Sequence, residues 1–244
     1  MTVGRGHFGQ INIGLIALAI GAGVAFLMVE TKAASPLIRL GMFKAPVFAT
    51  GIATSALIST VMMATLVVGP FYLSGALRLN PAILGIVLSA GPMVAALTGV
   101  PAGRFVDRFG PDRVSIAGLA VVMMGAGALT LIPLAFGVAG YVLPIMVMTG
   151  GYAVFQSANN SSMMMNALPD QRGVMSGMLN LSRNLGLVTG ASVMGAVFAY
   201  GAGADVVTAR PEAIAAGMRT AFAVAFMLVA IALGVTVRRR AATI

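Results

Sequence analysis

The polar side chains that could do chemistry in this sequence are few and clustered. Gln156, Asn159 and Asn160 stand at i, i+3 and i+4, and Ser176, Asn180, Arg183 and Asn184 follow the same helical spacing, so each set shares one helix face. Amides, a hydroxyl and one guanidinium can hydrogen-bond a small polar or amphipathic molecule, or tie helices together, but they contain no nucleophile with an adjacent base. The chain has no Cys, a single histidine at His7 and six carboxylates. That composition removes thiolate chemistry and His-cluster metal sites and leaves no Ser/His/Asp triad. Asp107, Asp112 and Asp170 form no convincing acid/base pair, so neither catalytic residues nor metal ligands are expected, and the chain does not read as an enzyme.

The elements that must carry these faces are membrane spans. Of 244 residues, 59% are hydrophobic and 9% charged, and the mean hydropathy is +1.00, values a water-soluble fold could not hide from solvent. Seven apolar stretches stand out, at 11–29, 47–73, 82–102, 114–136, 141–162, 173–200 and 216–237, each near the roughly 20 residues a span requires. The first is longer than the apolar core of about 7 to 15 residues in a signal peptide, and it reads as a retained helix. The fourth and seventh stretches are almost purely apolar, while the fifth and sixth carry the polar faces.

A formal charge of +9 would suggest nucleic acid in a soluble protein, but here the cations sit between apolar runs or in the tail. They act as topology signals, and no nucleic-acid partner is expected. Lys32, Arg39, Lys44, Arg104, Arg108, Arg113, Arg172 and Arg238, Arg239 and Arg240 fall on one side; Arg5, Arg78, Arg210 and Arg219 fall on the other. The cation-rich side is expected to be cytoplasmic, with the N-terminus outside and the C-terminus inside a multi-pass plasma-membrane protein.

Arg183 lies eleven residues beyond Arg172, roughly 15 Å into the bilayer at 1.5 Å per residue. A charge there costs at least about 3 kcal/mol unless it faces protein or water, so amide, hydroxyl or carbonyl partners are expected. With no Trp in the chain, Tyr72, Tyr141, Tyr152 and Tyr200 are the candidate interface anchors. Gly99/Gly103, Gly173/Gly177 and Gly186/Gly190 repeat four apart and predict close helix approaches. Pro92, deep in the third stretch, is the best hinge candidate, and Gly69-Pro70 reads as the end of a helix.

Between the third and fourth stretches stands Gly103-Arg104-Phe105-Val106-Asp107-Arg108-Phe109-Gly110-Pro111-Asp112-Arg113. The run is similar to the loop motif of the major facilitator superfamily, G-x-L-x-D-R-x-G-R/K-R/K. Phe105 stands where the motif has Leu, and Pro111-Asp112 replaces the basic pair, with Arg113 two positions late. Gly103, Asp107, Arg108, Gly110 and Arg113 are the gating-loop candidates. An acid here can sit at a helix N-terminus and pair with an Arg across a helix seam, a latch that breaks when bundles rock. Glu30 followed by Ser35-Pro36-Leu37-Ile38-Arg39-Leu40-Gly41-Met42-Phe43 resembles the linker entering the C-terminal six helices of drug:proton antiporters with fourteen spans. Pro169-Asp170-Gln171-Arg172-Gly173 and the run from Ser176 to Gly186 resemble the next-to-last hairpin of the same group, with Arg183 at its recurring Arg.

The resemblance implies an all-α integral membrane protein. Residues 1–46 would be a first transmembrane helix and a cytoplasmic linker, and 47–244 the C-terminal six-helix bundle of the major facilitator fold. In that fold two bundles of inverted repeats enclose a substrate site near the midplane. The first, second, fourth and fifth helices of a bundle line the cavity, and the third and sixth face outward. The implied function is proton-coupled efflux of small amphipathic compounds, with Gln156, Asn159, Asn160, Ser176, Asn180, Arg183 and Asn184 bordering the cavity. The proton gradient is the only driving agent implied, and no cofactor is. The proton-coupling acid and antiporter motif of the family belong to the other half, so this chain is expected to be a truncated or split half. Besides the bilayer and a small-molecule substrate, it would need an N-terminal half. The alternatives are a homodimeric half-transporter and a non-transporting membrane protein or gene remnant.

Overall fold

The computed structural model describes residues 45–203 and 209–241, together with Gly21 and Met28. Apart from Gly21 and Met28, the expected 11–29 span lies outside the described residues, as does the linker motif. The chain divides into two units, 1–45 and 46–244. The second carries six helices long and apolar enough to cross a membrane, and among the described residues there is no strand. This is an all-α, multi-pass membrane fold. The helices are α1 (Pro46–Phe71), α2 (Pro81–Phe109), α3 (Pro111–Leu131), α4 (Gly137–Asn166), α5 (Arg172–Ala202) and α6 (Pro211–Ala241).

The helix boundaries follow from proline and glycine chemistry. Four of the six begin on proline, at Pro46, Pro81, Pro111 and Pro211, where the missing N–H is one no helix would use and φ is already helical. The Asn80 side chain accepts from the Ile83 N–H at 2.9 Å and caps α2. Gly110, at φ +80°, is the whole connection between α2 and α3, a conformation few other residues accept. Two expected boundaries move. Gly69-Pro70 does not end its helix: α1 runs on to Phe71 and widens into a π-helical turn at Tyr72–Ala76, closed by the Leu77 N–H on the Tyr72 carbonyl at 3.1 Å. The fourth span stops at Leu131 rather than at 136, because Ile132 and Pro133 are extended and Leu134–Phe136 forms a separate 3-10 turn.

Packing is tightest where glycines let backbones meet. A methyl on Gly118 of α3 would lie 2.6 Å from the Phe155 nitrogen of α4, and one on Gly190 of α5 2.6 Å from the Thr60 carbonyl oxygen of α1. The Gly186/Gly190 pair therefore sits in a close seam, which two hydrogen bonds reinforce: Ser182 Oγ donates to the Ile52 carbonyl at 2.6 Å, and Thr60 Oγ1 donates to the Gly186 carbonyl at 3.0 Å. The other two pairs differ from expectation. Gly99, Gly103, Gly173 and Gly177 have nothing within 4 Å of an added Cβ, since they lie on the outer surfaces of α2 and α5.

The core joins α1, α3, α4 and α6 through residues such as Ile58, Leu119, Met148 and Phe222. Tyr72 and Tyr141 belong to it rather than to an interface belt: both are buried, their rings 5.7 Å apart. Tyr141 Oη reaches the Thr65 carbonyl, which removes the need for a headgroup partner. Tyr200 lies near the end of α5 and is 86% exposed. Arg104, Arg108, Arg113, Arg172 and Arg238–Arg240 all lie near helix ends on one side of the bundle, called here the cation-rich end.

Candidate functional site

The polar faces of α4 and α5 meet at one point. With its amide oriented to satisfy its neighbours, the Gln156 side-chain oxygen accepts from Arg183 Nε at 3.0 Å and Nη2 at 3.3 Å, and from the Tyr152 hydroxyl at 2.8 Å. All three side chains are half-buried. The partner of Arg183 is thus an amide, and the tyrosine in turn polarises that amide. Tyr152 stands one turn before Gln156, a spacing that could have revealed its role in the sequence.

Tyr152 also connects this cluster to a concavity of about 320 Å3. Met62 and Thr65 of α1, Leu88 and Pro92 of α2, Thr149 and Tyr152 of α4, and Leu187 of α5 are among its walls. α1, α2, α4 and α5 contribute to it, and α3 and α6 do not. The pocket is largely apolar, and Tyr152, which lines it, is hydrogen-bonded to Gln156, a combination suited to an amphipathic molecule.

The remaining polar positions separate into two groups. Asn159 is buried and donates through Nδ2 to the Gly51 carbonyl of α1 at 3.1 Å. It ties α4 to α1 and does not border open space. Asn160 is half-buried, while Ser176, Asn180 and Asn184 are exposed on the surface of α5. Amides on the outside of a membrane-spanning helix are costly against hydrocarbon, so this face calls for water or protein.

At the cation-rich end the loop motif is arranged differently from the expected latch. Asp107 and Arg108 lie in the last turn of α2 and are exposed; the Arg108 guanidinium sits 5.2 Å from the Phe109 ring centroid. The acid at a helix N-terminus is Asp112, in the first turn of α3, and it pairs with Arg239 of α6. The Arg239 side chain is only 8% exposed against 46% for Asp112. The residue that departs from the motif is therefore the one that forms the ion pair, and it closes a seam within this bundle. Asp107 instead faces a separate cavity of about 670 Å3 that Arg172 of α5 also lines. Gly103 has open space around it, Gly110 makes the turn, and Arg113 is exposed on α3.

Comparison with known proteins agrees with this architecture. The sequence profile described as Major Facilitator Superfamily matches residues 8–191. The chain is 26% identical over 179 residues to the uncharacterized transporter YebQ of Escherichia coli K12, covering 73% of this chain and 39% of that protein. It is 26% identical over 194 residues to the multidrug efflux pump LfrA of Mycolicibacterium smegmatis, covering 79% and 38%. To the lincomycin resistance protein LmrB of Listeria monocytogenes it is 25% identical over 256 residues, covering 95% and 51%. The chain thus spans about half or less of the length of these relatives. Among solved structures, a bacterial homologue of the iron transporter ferroportin in its outward-facing state superimposes with a TM-score of 0.60 at 17% identity, covering 83% of this chain and 47% of that one.

Proposed function

Because this chain belongs to the major facilitator superfamily, we propose that it is one half of a membrane transporter, a six-helix bundle preceded by one further span, that exports small amphipathic compounds at the expense of a proton gradient. The observation that carries this reading is the exposed polar face of α5. Asn180 and Asn184 stand outside a helix whose Arg183 is held by Gln156, and such a face is stable beside an aqueous cavity but not beside lipid tails. The efflux and resistance names of the relatives support the direction and the substrate class.

The second half is a six-helix bundle on the same or a separate polypeptide. It covers the outer surfaces of α2 and α5, where Gly99, Gly103, Gly173 and Gly177 leave room for close approach. Gln156, Asn160, Ser176, Asn180, Arg183 and Asn184 border the shared cavity, and the cation-rich end faces the cytoplasm with the N-terminus outside. Proton coupling resides in the second bundle, since no acid lies mid-helix in the described spans.

The test is efflux of a fluorescent lipophilic cation from cells expressing this chain with a complementary N-terminal bundle. Efflux should require both bundles, stop on addition of a protonophore, and fall at least about ten-fold with Arg183→Leu. Undiminished efflux by Arg183→Leu would remove the cavity assignment. Efflux by this chain alone would favour a homodimer of half-transporters.

A further inference from the structure

We infer that the groove between α2, α3 and α4 at the cation-rich end is a binding site for one anionic phospholipid, its acyl chain in the groove and its phosphate at Arg113. The groove encloses about 600 Å3, and among the described residues Thr98 and Arg113 are the only polar side chains in its walls. Its location separates it from the proposed transport cavity. On α4 the cavity side is marked by Ile145, Thr149, Tyr152 and Gln156, whereas the groove is lined by Val147, Gly150, Gly151 and Val154. At about 100° per residue the two sets lie on opposite sides of the helix. A groove turned away from the polar wall opens to the bilayer, where the available occupant is a lipid tail.

Its dimensions and ends select the kind of lipid. Arg113, Ala117 and Val121 follow one another at i, i+4 and i+8 along the groove, a run of roughly 12 Å, which fits within the roughly 15 Å depth of one leaflet's tails. The apolar length therefore starts at the interface and ends before the midplane. At the interfacial end Phe105 and Phe109 stack with centroids 6.2 Å apart and line the groove mouth.

Charge at this mouth is positive. Arg113 is exposed and has no ion pair among the described residues, because its neighbour Asp112 is engaged by Arg239. Arg108 is held over Phe109. The nearest acid on α2, Asp107, is two residues from both phenylalanines and so projects to the opposite face, where it lines the other cavity. A phosphodiester with a net negative charge satisfies Arg113, whereas a zwitterionic headgroup brings its own cation to the same place.

The experiment uses the full chain purified in mild detergent, with native mass spectrometry in phosphatidylglycerol or phosphatidylcholine of identical acyl chains. Wild type should retain phosphatidylglycerol in preference. Arg113→Gln should reduce that preference about five-fold, the effect of one basic residue at an anionic surface. Ala117 is exposed and lies in the groove, so Ala117→Trp fills it without disturbing the core and should remove the retained lipid of either headgroup. Arg78→Gln, at the other end of the bundle, should change nothing. In parallel, a photo-reactive side chain at 117 in native membranes should label lipid. Equal retention of the two lipids by wild type, unaltered retention by Ala117→Trp, or photo-labelling of a second copy or of residues 1–44 would each overturn the assignment. No arm reads transport, so the result is independent of the function proposed above.

Discussion

A guanidinium within a membrane-spanning helix keeps its charge only where protein or water replaces its hydration, and Arg183 has a protein partner. Gln156 accepts from two of its nitrogens, and the exposed amides of α5 lie beside it. A lysine could not present the same planar fork to one amide oxygen, so Arg183→Lys should recover only part of the efflux lost in Arg183→Leu. Gln156→Leu should resemble Arg183→Leu in transport, because it leaves the guanidinium unpaired. Asn159 predicts the reverse pattern. Its bond to Gly51 is an internal tie between α4 and α1. Asn159→Ala should lower stability in reversible detergent-denaturant unfolding by about 1 kcal/mol while leaving efflux nearly unchanged. A large transport defect at full stability would place Asn159 at the cavity after all.

At the scale of elements, the seams differ in what holds them. The α1–α5 seam depends on Gly186 and Gly190 allowing contact with the Ala56 and Thr60 carbonyls, plus two cross-helix hydroxyl bonds. Gly190→Leu would force the helices apart and should cost about 1 to 3 kcal/mol or more, as overpacking does, read as a lower unfolding midpoint. The α3–α6 seam is closed at its cation-rich end by Asp112 and Arg239. Since Asp112 is partly exposed, a double-mutant cycle of Asp112→Asn and Arg239→Gln should give a coupling of no more than about 1 kcal/mol. A coupling several times larger would mean that this pair, rather than hydrophobic contact, holds α6 in place.

For the whole molecule, the informative surfaces are those that the bundle leaves bare. The membrane-spanning window of α2 has only 6% of its residues buried, against 56% for α1 extended through its π turn, so most of the α2 surface is left bare. Gly99→Leu and Gly177→Leu should therefore change the unfolding free energy of the purified chain by less than about 0.5 kcal/mol, as surface substitutions do. The same changes should abolish efflux by blocking approach of the second bundle. Because the chain contains no Cys, Gly99→Cys gives a clean reporter. Disulfide formation between two copies in membranes would point to a homodimer, and crosslinking only to a complementary bundle would support the heterologous pairing.

The amino-acid sequence determined the all-α membrane class, the six described spans with ends up to seven residues off, and the two polar faces. Each of these is a local property: twenty apolar residues in a row require a bilayer, and the 3.6-residue period puts Gln156 beside Tyr152 and Asn159 whatever the surroundings. The loop from Gly103 to Arg113 was equally legible as a motif. The tertiary structure alone decided which polar residues face which neighbour. Asn159 and Gln156 share a helical face and the same chemistry, yet one is buried against α1 and the other meets Arg183, a difference set by how α4 is rotated between its partners. It also decided that Asp112 rather than Asp107 holds an arginine, because the C-terminal end of α6 arrives beside α3 from 127 residues away, and no local pattern encodes that meeting. The same holds for the glycine pairs: four-residue spacing permits close approach, but only the arrangement of helices selects Gly186/Gly190 for contact and leaves Gly99/Gly103 open.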